Sequence, residues 1–244
     1  WCPSDGSIIG YRATYAGGEI YNTQPTGMTY TNYRGNWGYW TGSPTGSPDP
    51  DTQMRRQALQ QYNGVIVPNG YGAAGEAAIP SRKGASRSTV RIASITDGTS
   101  NTAAFSEIAH GLITKDDYAP HGSFEDWQWW TSGNLGDSTY AHFYPVNVQK
   151  KSSNFTGNDQ AGAFVNSASS FHPGGVNVAF VDGSVRFIKE SIDSWTFDPS
   201  TGMPKGVTRP GGGSVWVQTP GSKVGVWQAI GSVNGGEVVS SDAY

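Results

Sequence analysis

The strongest structural signal in the sequence is VNVAFVDGSVRFI, residues 176–188. Two apolar stretches with period-2 alternation flank Asp182-Gly183, a dipeptide typical of a two-residue type I′ turn. Such a turn would place Phe180 opposite Val185 and Val178 opposite Phe187. These four apolar side chains would then share one buried face of an antiparallel hairpin.

The composition indicates a folded protein with long polar connections. Charged residues make up 14% of the 244 residues, and there are 34 Gly, 9 Trp, 12 Tyr and 9 Phe. Disordered chains have few aromatic residues and a high net charge. This sequence has many aromatic residues and a low net charge. The net charge is −3 and basic residues form no stripe, so nucleic acid is excluded as a partner.

One amphipathic helix is predicted over residues 50–62. Asp49 can cap its first turn, Pro50 fits the first helical position, and Asn63-Gly64 ends it. The remaining signals are short strands separated by Gly-rich loops. We therefore predict an α+β fold, mainly antiparallel β-sheet with one helix, and treat residues 1–244 as a single domain.

Five segments of the sequence stand out by their turn and cap residues. They are Cys2-Pro3-Ser4-Asp5, Thr31-Asn32-Tyr33-Arg34-Gly35-Asn36, Thr96-Asp97-Gly98-Thr99-Ser100-Asn101-Thr102 with Glu107 after it, His172-Pro173-Gly174-Gly175 followed by Asp182-Gly183, and Gly235-Gly236-Glu237-Val238-Val239. In this order they resemble the segments of a bacterial prepilin-like (pseudopilin-like) family of unknown function. That family is defined by a His, nine residues and an Asp-Gly near the C-terminus.

This resemblance implies a pilin-like globular head on the cell surface, in the periplasm or in the secreted fraction. Members begin with a prepilin leader and a long hydrophobic helix, which we expect to precede residue 1 in the parent protein. Contact with a membrane would be made only through that helix. The resemblance also implies a disulfide between Cys2 and a cysteine just after the helix. The expected partners are other copies of the chain or other pilin-like proteins, and no enzyme activity is expected.

His172 and Asp182 invite a catalytic interpretation, which the predicted hairpin opposes. The strand between them advances about 16 Å at ~3.3 Å per residue, whereas a catalytic pair must be about 3 Å apart. We assign Asp182 to the turn and His172 to a hydrogen bond that fixes the entry loop. The residues given such structural roles are His172, Gly174, Gly175, Asp182, Gly183, Asp97, Gly98, Asn101 and Glu107.

Two further interpretations concern ligands. Asp97 and Glu107, with the polar residues between them, could bind Ca²⁺, but their spacing matches no EF-hand and a local turn explains Asp97-Gly98 better. No cofactor is therefore expected, with Ca²⁺ as the alternative. Trp127, Trp129 and Trp130 could form a glycan-binding platform of an adhesion module. Core packing explains the aromatics better, including Trp37, Tyr39 and Trp40.

Catalysis has the least support. The sequence contains no Gly-x-Ser-x-Gly elbow, no HExxH zinc motif and no phosphate-binding loop. Its four histidines are not spaced like metal ligands. A metal-dependent hydrolase is accordingly the weakest of the three functional hypotheses, after a structural pilin-like protein and an adhesion module.

Overall fold

The computed structural model describes nine stretches of the chain. They are residues 1–6, 30–40, 62–67, 90–112, 138–151, 166–198, 204–208, 216–237 and 239–240. The helix predicted over residues 50–62 lies outside these stretches except for its last residue, Tyr62, which is buried.

A five-stranded sheet forms the centre of the described fold. Its strands lie in the order β3-β1-β2-β4-β5. β1 pairs with β3 in parallel, and the other three pairings are antiparallel. The strands are β1 (Tyr33–Asn36), β2 (Ala103–Glu107), β3 (Thr139–Tyr140), β4 (Gly175–Phe180) and β5 (Val185–Lys189).

The described helices are short. They are α1 (Val148–Lys151) and α2 (Val226–Ala229), and two 3₁₀ turns lie at Ile92–Ser94 and His110–Leu112. A second sheet pairs β6 (Val207–Thr208) with β7 (Val217–Gln218). The α+β class with a dominant, mainly antiparallel sheet is thus confirmed. In the part of the chain that the structure describes, no helix has the length and apolar character to cross a membrane.

The predicted hairpin forms, but its predicted register is wrong by one residue. Ala179 pairs with Val185, and Val178 pairs with Arg186. The Gly183 amide donates to the Phe180 carbonyl at 3.0 Å, and the Phe180 amide donates to the Ser184 carbonyl at 2.8 Å. Gly183 has a φ of 86° and Asp182 has a negative φ. This is a three-residue loop with Gly in the left-handed region, rather than a type I′ turn.

The one-residue difference moves Val185 and Phe187 to the other face of the sheet. Val178 and Phe180 face the core, whereas Val185 is 66% exposed and Phe187 is 45% exposed. Phe105 on β2, 49% exposed, lies on the same outer face, because it pairs with Ala179. The prediction that all four apolar side chains of the hairpin share one buried face is therefore wrong.

The core lies on the inner face of the sheet and extends into an aromatic cluster. Trp227 and Ile230, in and just after α2, pack against the inner side chains of β4. The aromatic cluster contains Trp37, Tyr39, Tyr62, Phe143, Tyr144, Trp195 and Trp216, with Trp40 packed against it. The prediction that Trp37, Tyr39 and Trp40 serve core packing is confirmed.

Candidate functional site

The first residues of the chain are held against the sheet by Asn32, which directly precedes β1. The Asn32 side chain is 1% exposed. Its Oδ1 accepts a hydrogen bond from the Cys2 amide at 2.7 Å. Its Nδ2 donates to Asp5 Oδ2 at 3.0 Å and to the Ile108 carbonyl at 3.2 Å. One buried amide therefore joins the N-terminal segment to the end of β2.

Glu107 is the last residue of β2 and its side chain is nearly fully buried. Asn177 on the neighbouring β4 binds both carboxylate oxygens: its main-chain amide donates to Oε2 at 2.8 Å and its Nδ2 donates to Oε1 at 3.2 Å. These two hydrogen bonds fix the plane of the carboxylate. Oε1 points toward Cys2 and His172.

His172 approaches the same carboxylate from the loop before β4. Its Nε2 lies 3.3 Å from Glu107 Oε1 and 3.5 Å from Cys2 Sγ. Within the loop, the His172 amide donates to Ser170 Oγ at 2.9 Å, and its carbonyl accepts from Lys150 at 3.4 Å. The main chain of His172 therefore makes contacts within the entry loop and with Lys150, and its imidazole contacts Glu107 at the end of β2.

The three side chains form a compact group, called here the Cys2–Glu107–His172 cluster. Cys2 Sγ lies 3.7 Å from Glu107 Oε1, and Ser4 Oγ lies 2.9 Å from the sulfur. Cys2 and Glu107 are buried, whereas the His172 side chain is about one third exposed. A thiol, a carboxylate and an imidazole at these distances can share protons or bind a metal ion.

The cleft beside the cluster is too small for an organic substrate. It encloses about 150 Å³ with open solvent included, and its walls include Cys2, Asn32, Glu107 and Phe171. Small-molecule sites typically measure about 300–1,000 Å³. The geometry therefore favours a structural role or an ion over a bound organic molecule.

Asp182 and Asp97 each have a local structural role. Asp182 Oδ1 accepts from the Ser184 amide at 2.9 Å and from Ser184 Oγ at 2.7 Å. These bonds lower the pKa of the exposed carboxyl. Asp97 accepts from the amides of Gly235 and Gly236 at 2.7 and 3.1 Å. The third and fifth of the recognised segments are thus joined to each other.

The two candidate Ca²⁺ ligands contact different groups. Asp97 binds the 235–236 loop beside the start of β2, and Glu107 is at the other end of that strand. The two ends of β2 are four residues apart, which corresponds to about 13 Å at ~3.3 Å per residue. The structure does not bring these carboxylates together, and it places Glu107 with Cys2 and His172 instead.

Two sequence hypotheses fall on residues beyond those described. Trp127, Trp129 and Trp130, the proposed glycan platform, lie outside the described stretches. A disulfide from Cys2 to a segment before residue 1 stays a prediction. In the structure the Cys2 thiol is free, buried and directed at Glu107 and His172.

Sequence reasoning did not group Cys2 with Glu107 and His172, because 105 residues separate the first pair and 170 separate Cys2 from His172. One signal was available. Cys2 and His172 belong to recognised segments, and Glu107 follows the third segment by five residues. Few residues in or near those segments are of types that bind metals, so this cluster could have been proposed from them.

Another buried titratable group, His142, follows β3 and contacts Trp227 of α2. Its Nδ1 donates to the Trp227 carbonyl at 2.8 Å, and its Nε2 accepts from Tyr140 at 2.9 Å. Complete burial lowers the pKa of His142 to about 3. The neutral ring packs against Trp227, with 4.0 Å between ring centroids and an angle of 35° between the ring planes. Since this side chain is fully enclosed, we assign it to the core.

Comparison with known proteins gives a family and no individual relative. A family model described as "Protein of unknown function (DUF1559)" matches residues 1–194. No curated protein and no solved structure matches the chain. The matched residues include Cys2, Glu107 and His172.

Proposed function

The chain belongs to the DUF1559 family, and from that premise we propose that it is the head of a pilin-like or pseudopilin-like structural protein. It acts outside the cytoplasm, on the cell surface or in a secretion apparatus, through contacts with other copies or related subunits. It is not an enzyme. The resemblance of five ordered sequence segments to prepilin-like proteins supports this proposal.

The observation that carries the proposal is the anchoring of residues 1–5 on the sheet. Asn32 binds Cys2 and Asp5, and the indole of Trp1 donates to the Tyr30 carbonyl at 3.0 Å. A helix that preceded residue 1 would leave the head from a fixed point, so the head would keep one orientation relative to it. Subunits of a filament need such a fixed orientation to repeat the same contacts.

The outer face of the sheet supports assembly as well. Phe105, Ala179 and Val185 form a row across three strands, with Phe187 beside it. Three of these four are large apolar side chains that are 45–66% exposed. Contiguous exposed apolar side chains are typical of interaction surfaces.

Fractionation of cells that produce the full-length parent protein tests this function. We expect the protein in the cell envelope or outside the cell, in assemblies that can be imaged by electron microscopy. Recovery of the parent only as a soluble cytoplasmic monomer would refute the proposal. The matched control is a soluble cytoplasmic marker followed through the same fractions.

A further inference from the structure

The distances within the Cys2–Glu107–His172 cluster match those of a zinc coordination sphere. The separations are 3.5 Å from Sγ to Nε2, 3.7 Å from Sγ to Oε1 and 3.3 Å from Nε2 to Oε1. A tetrahedral zinc ion, with a bond of about 2.3 Å to sulfur and about 2.0 Å to nitrogen and oxygen, requires about 3.5, 3.5 and 3.3 Å. The ligand atoms need only small shifts to receive the ion.

The sulfur, nitrogen and oxygen ligand atoms of the cluster favour zinc over magnesium and calcium. A thiolate and an imidazole are poor ligands for Mg²⁺ and Ca²⁺, which prefer oxygen, and are preferred ligands of Zn²⁺. The charges also balance, because a thiolate and a carboxylate together neutralise a divalent ion. A neutral complex lowers the free-energy cost of burying the charged side chains of Cys2 and Glu107 away from water.

Surrounding hydrogen bonds hold the ligands in place. Asn177 fixes the Glu107 carboxylate through both of its oxygens. The Cys2 main chain is fixed by Asn32, and the main chain of His172 is fixed by Ser170. Groups that orient ligands in this way are a regular feature of metal sites.

We infer that this cluster binds one Zn²⁺ ion through Cys2 Sγ, a Glu107 carboxylate oxygen and His172 Nε2, with water as the fourth ligand. His172 lies at the solvent-facing side of the group, where a water molecule can reach the fourth position. The ion would join the N-terminal segment, the end of β2 and the loop before β4. This inference does not depend on the pilin-like role.

Metal binding to the reduced, chelator-treated full chain tests the inference. With Zn²⁺ we expect one ion per chain by calorimetry and mass spectrometry under native conditions, and a thermal midpoint raised by several degrees. With Co²⁺ as a probe we expect tetrahedral visible bands and a near-ultraviolet sulfur-to-cobalt charge-transfer band. Ca²⁺ should produce none of these effects.

Substitutions assign the ligands. Cys2→Ser and His172→Gln should each weaken Zn²⁺ binding by more than about 100-fold, and Asn177→Ala should weaken it by about 10–100-fold. Cys2→Ser should also remove the charge-transfer band. Asp182→Asn, which removes an exposed carboxylate from the turn at the far end of β4, is the matched control and should bind like the wild type.

The inference is overturned if the wild-type chain retains no stoichiometric Zn²⁺, or if folded ligand variants bind it as tightly as the wild type. Circular dichroism establishes which variants are folded. Should the ligand variants fail to fold, the wild-type Co²⁺ spectrum decides: a charge-transfer band supports the site and its absence rejects it.

Discussion

Asn32 is the residue on which the position of the N-terminal segment depends most. Its buried amide binds Cys2, Asp5 and the Ile108 carbonyl. Asn32→Ala leaves buried polar groups without partners, at about 1–3 kcal/mol for each group. We expect the free energy of unfolding to fall by about 2–4 kcal/mol in urea denaturation.

Thr31→Ala is the matched control for Asn32→Ala. Thr31 is adjacent in sequence, and its hydroxyl makes an exposed hydrogen bond to the Tyr33 carbonyl. It should change the free energy of unfolding by less than about 0.5 kcal/mol. Equal losses from both substitutions would show that Asn32 has no special role.

His142 gives the fold a defined pH dependence. Its pKa is about 3 in the folded state and about 6.5 when the chain is unfolded, so between these values the unfolded state binds more protons. The stability contributed by the neutral ring is therefore complete above pH 6.5 and is lost as the pH falls. This group alone should cost about 2 kcal/mol between pH 7 and pH 5.

Urea denaturation at the two pH values, compared with His142→Asn, isolates this contribution. The variant is expected to be less stable at pH 7, because Tyr140 loses its hydrogen-bond partner. Its stability should nevertheless fall less than that of the wild type on acidification. The same acid sensitivity in both proteins would contradict the assignment of a neutral, enclosed His142.

At the scale of elements, the β4–β5 turn sets which side chains face the core. Asp182 has a negative φ and binds Ser184 twice, whereas a type I′ turn would need a positive φ at that position. Asp182→Gly removes both hydrogen bonds and loosens the unfolded chain, so we expect the thermal midpoint to fall by a few degrees.

A type I′ turn would respond to the same substitution in the opposite way, because glycine adopts a positive φ without strain. A raised thermal midpoint for Asp182→Gly would thus contradict the observed turn. Gly183→Ala is the companion variant, and it should destabilise the hairpin because the Gly183 φ of 86° disfavours any residue with a Cβ.

The sequence was sufficient to predict that this hairpin exists, but its alternation could not determine the register. Val185 and Phe187 continue the apolar alternation, so the pattern predicted that their face of β5 is buried. Two- and three-residue loops both use Asp-Gly, and they differ by the one residue that exchanges the faces. In the observed register Ile188 is buried instead, opposite Val176 of β4. The packing of the inner side chains of β4 in the core selects this register.

At the scale of the whole molecule, the recognised segments converge through long-range contacts. The first segment meets the second at Asn32, the third meets the fifth at Asp97, and the fourth reaches Glu107 through His172. Ordered motifs identified the participating residues. Only tertiary packing, which brings residues 170 positions apart into contact, could group them into one site.

The exposed row on the outer face gives a prediction about assembly. The double substitution Val185→Thr and Phe187→Ser in the full-length parent should reduce its recovery in assemblies, because it removes apolar surface that other subunits would cover. The isolated head should stay folded with a thermal midpoint only a few degrees lower, since Val185 is 66% exposed and Phe187 is 45% exposed. Size separation of native material provides the measurement.

Ile92→Ser is the matched control for this face. Ile92 is 76% exposed but belongs to the 3₁₀ turn before β2 and not to the sheet. Assemblies should form normally with this variant. If the double variant assembled as well as the Ile92 variant, the outer face would not be the contact surface.

Residues 1–5 are an integral part of the head, anchored by Asn32. Amide hydrogen exchange of the wild-type chain measures this directly. We predict that the Cys2 amide, which donates to Asn32, is protected to a degree comparable with the amides of β2. Exchange of the Cys2 and Asp5 amides at the rate of a free peptide, while the amides of β2 and β4 remain protected, would contradict this anchoring.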